Sequence, residues 1–65
     1  MKQYIERMIN EKKELEGRIG KAEKAIASNP FDMDETSKHL LGKQVDAMKV
    51  YADILDQRIK YETGK

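Results

Sequence analysis

Apolar residues recur along this chain in two long runs at alternating steps of three and four, with one polar stretch between them. That rhythm predicts two amphipathic helices. In the first run Ile5, Met8, Lys12, Leu15, Ile19, Ala22 and Ile26 fall on one stripe, a single lysine standing among apolar positions. The second run carries two stripes side by side. Leu41, Val45, Met48, Ala52, Leu55 and Ile59 form one, and Leu40, Gln44, Ala47, Tyr51, Ile54, Arg58 and Tyr61 form the other. One partner helix covers one stripe. The pattern therefore predicts an all-α fold, an antiparallel helical hairpin whose surplus apolar face drives assembly into a homo-oligomeric helical bundle.

The boundaries follow from local chemistry. Pro30 disfavours helical dihedrals at Asn29 and cannot continue the hydrogen-bond ladder, so the first helix spans about residues 2–28. A loop over 29–33 follows, and the second helix spans about 34–62 before Thr63, Gly64 and Lys65 fray. Asp32 with Glu35 three residues on reads as a capping box, and Asp34 adds negative charge at the positive end of the helix. Phe31 and Met33, apolar in a polar loop, are expected to fold back and close the core. Antiparallel pairing sets Lys12 opposite Tyr51, Met8 opposite Leu55, Leu15 against Met48, and Tyr4 near Arg58 and Ile59. Gly17, Gly20 and Gly42 interrupt the helices at a cost of ~1 kcal/mol each against alanine. The first two lie away from the core stripe, which reads either as a tolerated weakness or as close approach of a subunit or ligand.

Size and composition narrow the class. At 65 residues the chain is one domain (1–65), in the range where a single core is marginal and disulfides, metal or oligomerisation supply the rest. With no cysteine there is no disulfide framework and no thiolate metal site, and the one histidine, His39, cannot assemble a histidine cluster within one chain, so self-association remains. No run approaches the ~20 apolar residues of a membrane span. The start MKQYIERM lacks the apolar segment of a signal peptide, so a cytoplasmic location is expected. Charged residues make up 38% of the chain, yet 13 basic and 12 acidic groups leave a net charge of +1. The signs are interspersed, with Glu14 and Arg18, or Asp56 and Lys60, at i,i+4 spacing. That argues for solvated helix faces and against a nucleic-acid stripe.

No catalytic constellation is present: there is no phosphate loop, nucleophile elbow or His-Glu-x-x-His spacing, and neither an enzyme nor a cofactor is expected. The informative residues are polar ones at apolar positions, Lys12, Gln44 and Arg58. Antiparallel pairing gathers Tyr4, Arg7, Glu11, Lys12, Tyr51 and Arg58 into one neighbourhood. Aromatic faces beside guanidinium and ammonium groups suit a base and a phosphate, because stacking and charge-assisted bonds answer the two halves of a nucleotide. The same residues equally make an interface of tyrosines with Arg7 and Glu11 paired.

Tyr4, Arg7 and Met8, the run from Glu11 to Leu15, and above all the stretch from Gln44 to Ile59 resemble a family of short helical-hairpin proteins encoded by bacteriophages and named from a crAss-like phage. The Ala47-Met48-Lys49 step to Tyr51, followed by Ile54-Leu55 and Arg58-Ile59, carries more detail than hydrophobic spacing requires. More loosely, the chain is similar to the hairpin-domain sponge proteins with which phages sequester cyclic nucleotide signals of bacterial immunity. That resemblance implies a homo-oligomer binding a cyclic nucleotide without degrading it, with Tyr4 and Tyr51 stacking on bases and Arg7, Lys12 and Arg58 meeting phosphates. The alternative is a helical adaptor or inhibitor whose extra stripe docks a host protein in a groove.

Overall fold

The computed structural model describes residues 2–64. Helix α1 runs Gln3–Ser28 and helix α2 runs Glu35–Thr63, and the two pack against each other as a hairpin. The expected helical hairpin and both helix boundaries are met to within a residue or two. The stripes interlock as the spacing requires: Ile5, Met8, Leu15 and Ile19 of α1 are buried against Val45 and Leu55 of α2. Ile9, Ala22, Ile26, Met48, Ala52 and Ile59 pack around this seam. Leu55, 1% exposed, is its most enclosed side chain.

The turn is built differently from the expectation. Asn29 takes a left-handed conformation (φ 45°, ψ 55°) and its backbone N–H donates to the Ala25 carbonyl at 2.8 Å, ending α1. Its side chain then clasps the far side of the loop. Asn29 Nδ2 donates to the Met33 carbonyl at 3.0 Å, and the Met33 N–H donates to Asn29 Oδ1 at 2.6 Å. With both backbone groups of Met33 engaged, α2 starts only after Asp34. Asp34, not Asp32, is the cap, its carboxylate accepting from the Ser37 N–H at 2.8 Å. Asp32 cannot serve, because a cap needs extended backbone and this residue sits at φ 52°, a left-handed conformation that aspartate tolerates better than most residues.

Phe31 corrects a second expectation. It stands 78% exposed rather than over the core, and Met33, whose backbone the Asn29 side chain holds, is half-buried without joining the residues packed on the core. The glycines carry no close contact on the helix faces: a side chain at Gly17 or Gly20 would meet nothing within 4 Å. Within the hairpin, therefore, neither glycine is required by packing.

A rod of two helices is a poor shape for hiding surface. The Cα trace extends over 47 × 16 × 13 Å, and the chain exposes 5076 Å². A compact protein of 7.5 kDa exposes about 4,200 Å² by the usual mass scaling, so this one shows a surplus of about 800 Å².

Leu55→Ala is expected to lower unfolding free energy by about 2–5 kcal/mol, the range for a large-to-small change in a packed core. Phe31→Ala should alter it by no more than about 0.5 kcal/mol. Gly17→Ala is expected to raise it by up to ~1 kcal/mol, since the new methyl group meets open space and helix propensity improves. Urea melts of the three variants check all three signs.

Candidate functional site

A helix turns ~100° per residue, so the seam divides the hairpin into two flanks. Cross-helix contacts identify them. On one flank Lys12 Nζ lies 3.2 Å from Asp56 and 3.5 Å from Glu16, Lys60 lies 2.8 Å from Asp56, and Lys49 lies 2.9 Å from Glu23. On the other, the Tyr4 hydroxyl donates to the Glu62 carboxylate. Residues seven apart share a flank, so Tyr4 is followed there by Glu11, Arg18 and Ala25, with Arg7, Glu14 and Lys21 in the adjoining row. The second stripe of α2, Leu40, Gln44, Ala47, Tyr51, Ile54, Arg58 and Tyr61, rises on this same side, a quarter-turn or so from the core stripe.

The pairing partners differ from those read off the sequence. Lys12 meets Asp56 rather than Tyr51, and Tyr4 meets Glu62 rather than Arg58. Side chains on a helix lean toward its N-terminus. In an antiparallel pair the two sets lean in opposite directions, so a contact joins a residue to one about a turn beyond the residue directly opposite. Position around each helix, not the offset along it, separates the candidate residues. Tyr4, Tyr51 and Arg58 share one face, with Arg7 at its edge. Lys12 stands on the opposite flank, inside the carboxylate network.

That network gives Lys12, Lys49 and Lys60 carboxylate partners. Hydrogen bonds from Lys60 and then Lys12 hold the Asp56 carboxyl below the usual carboxylate range, and the bond to Asp56 raises Lys12. The bond to Glu23 likewise raises Lys49. A shallow recess of about 280 Å³ lies between Lys12, Glu16, Lys49, Asp53 and Asp56. Three carboxylates against two ammonium groups make it unsuited to a polyanion. A second recess of about 290 Å³, nearer the turn, is lined by Ile26, Val45 and Lys49 with Glu23 and Asp46, and has the same balance.

The other face has the complementary character. Leu40 is 58% and Ile54 48% exposed, and Val50, Tyr51 and Tyr61 stand out beside them. Among the described residues Arg7, Arg18 and Arg58 make no ion pair with any carboxylate, whereas every lysine–carboxylate pair that crosses between the helices lies on the far flank. Neither the Arg7–Glu11 nor the Glu14–Arg18 pair forms, while the expected Asp56–Lys60 pair does. Arg18 is the residue that sequence reasoning set aside; its heptad relation to Tyr4 was the available signal. Tyr4 is oriented by its bond to Glu62, which raises its phenol pKa together with partial burial. Among the described residues no three His, Asp or Glu side chains converge as a metal site, and no helix is long and apolar enough to cross a membrane.

These features define a small all-α hairpin with one flank closed by salt bridges and one face, apolar and arginine-bearing, left uncovered. The chain belongs to the Sequestin family, whose model matches residues 2–61. No curated protein and no solved structure matches it.

Stability should fall at both ends of the pH scale. Asp56 and Asp34, the latter held low by the Ser37 backbone N–H, have depressed folded-state values, so their contribution is present above the ordinary carboxylate value and is lost below about pH 4. Lys12, Lys49 and Tyr4 are raised, so theirs is present below the ordinary values and is lost above about pH 10. Asp56→Asn is expected to flatten the acid limb of a plot of urea midpoint against pH and to leave its neutral-to-alkaline limb falling through Lys49 and Tyr4.

Proposed function

We propose that this chain is a phage-encoded anti-defence protein that binds a cyclic nucleotide immune messenger and holds it without chemistry, acting in the bacterial host cytoplasm as a homo-oligomer. The family name denotes sequestration. The observation that carries the reading is the distribution of cations. On one side of the hairpin the lysines are neutralised by carboxylates, and on the other Arg7, Arg18 and Arg58 stay uncommitted beside Tyr4 and Tyr51. Guanidinium forks bind phosphate oxygens in pairs, and exposed phenol rings offer stacking platforms to bases.

The mechanism is stoichiometric. Each bound messenger is withdrawn from its effector, so inhibition scales with protein concentration and needs no turnover. Arg7 and Arg58 meet phosphates, Tyr4 and Tyr51 stack, and the Glu62 carboxylate fixes the Tyr4 ring. Lys12 is assigned to the salt-bridge flank, which makes it an internal control.

Arg58→Lys tests the phosphate role most sharply, because an ammonium does not reproduce a two-pronged contact. Calorimetry with cyclic di- and trinucleotides and a cyclic ADP-ribose derivative should show at least tenfold weaker binding for Arg58→Lys. Tyr4→Ala and Tyr51→Ala should each lose ~1–3 kcal/mol, and Lys12→Ala should bind as the unaltered protein does. Mass spectrometry of the small molecules released on heating provides an independent readout. Absence of heat with every such nucleotide, together with no released nucleotide, would refute the reading and leave the alternative, a helical module docked on a host protein.

A further inference from the structure

The salt-bridged flank carries more negative charge than its lysines answer. We propose that it holds a binding site of its own, an apolar-floored groove that takes a linear aliphatic diamine with its two ammonium groups about 10 Å apart. The groove lies on the opposite flank from Tyr4, Tyr51 and Arg58, so it stands or falls independently of the nucleotide reading.

Two rows of residues form the groove. On α2, Gly42, Asp46, Lys49, Asp53 and Asp56 step by threes and fours beside the core stripe, and Lys12, Glu16, Ile19, Glu23 and Ile26 do the same on α1. Between the rows lie the recesses of about 290 and 280 Å³, the upper one, nearer the turn, level with 42–49 of α2 and the lower level with 49–56. Lys49 lines both, so they run end to end. The floor is apolar, with Ile26, Ala27 and Val45 in the upper recess and Ile19 and Ala52 in the lower. Gly42 keeps the upper recess open: a side chain there would meet nothing within 4 Å.

Charge selects the occupant. The carboxylates of Glu16, Glu23, Asp46, Asp53 and Asp56 line the recesses, and only Lys12, Lys49 and the neighbouring Lys60 answer them. Lys12 pairs with Glu16 and Asp56, Lys60 with Asp56, and Lys49 with Glu23. Among the described residues, Asp46 and Asp53 form no ion pair. Asp53 Oδ2 accepts from the neutral Gln57 amide at 2.7 Å, which leaves its other oxygen for a cation. The two aspartates stand two helical turns apart, about 10 Å along the axis. An ammonium group at each restores the balance, while the methylenes between them lie along the apolar floor. Lys49 stands midway, so the middle of the ligand must carry no charge. A monoamine leaves one aspartate unanswered, and a polyamine with an inner ammonium meets Lys49.

The probe is 1,8-diaminooctane, whose nitrogens span this distance when extended. Titrated into isotope-labelled protein, it should give saturating amide shifts at Gly42, Asp46, Lys49 and Asp53 in the millimolar range, since ion pairs this exposed are individually weak. Too short to reach both aspartates, 1,4-diaminobutane should bind about threefold more weakly, the loss of one such pair. The uncharged 1,8-octanediol should give no saturating shift. Asp46→Asn and Asp53→Asn should each weaken the diamine by a similar factor, and Gly42→Leu, which fills the upper recess, should block it. Glu35→Gln, at a carboxylate paired with Lys38 outside the groove, should leave binding unchanged. These are surface or open-space substitutions, so circular dichroism should show full helicity in every variant. The proposal is overturned if 1,8-diaminooctane gives no saturating shift, if the short diamine binds equally well, or if a helical double variant, Asp46→Asn with Asp53→Asn, binds undiminished.

Discussion

Everything in this molecule depends on the single seam in which Val45 and Leu55 of α2 lock against Ile5, Met8, Leu15 and Ile19 of α1. A two-helix hairpin has no third element to correct a rotation, so the angle at which each helix presents its stripe determines the address of every other side chain. Once the seam is set, Lys12, Lys49 and Asp56 are placed on one flank and Tyr4, Tyr51 and Arg58 on the other. Lys12 shows how tightly this is drawn. It occupies a core position by spacing, and the hairpin accepts it because its stem covers apolar surface while its ammonium group reaches Asp56 and Glu16.

The fold was legible because heptad spacing and the Asn29-Pro30 stop are local signals. What escaped the sequence was geometry carried by side chains. The Asn29 clasp on Met33 uses an amide that could equally have faced solvent, and it moved the cap from Asp32 to Asp34. The lean of side chains along a helix is absent from a helical-wheel argument, and it moves the partners of Tyr4 and Lys12 by about a turn. Which flank a residue takes is set separately, by the rotation of each helix about the seam, and that rotation divides the candidate cluster. The second apolar stripe, by contrast, was readable in full, since Leu40, Tyr51, Ile54 and Tyr61 are all exposed.

The two flanks also differ in what they cost to leave open. Salt bridges between half-exposed groups contribute little to stability, so the Lys12–Asp56 and Lys49–Glu23 pairs are better understood as satisfying charge than as holding the helices together. Their consequence is electrostatic: Lys12, Lys49 and Lys60 already face carboxylates of the chain itself. The arginines opposite, without such partners, keep their hydrogen-bonding capacity for something outside the chain.

Capture without turnover asks the uncovered face for affinity rather than reactivity. Among the described residues Arg7, Arg18 and Arg58 have no carboxylate partner, while the lysines that cross between the helices do, and the Tyr4 ring is held by its bond to Glu62. A side chain fixed before binding loses less freedom when a ligand arrives, so the Tyr4–Glu62 bond is the point at which the fold itself contributes to affinity.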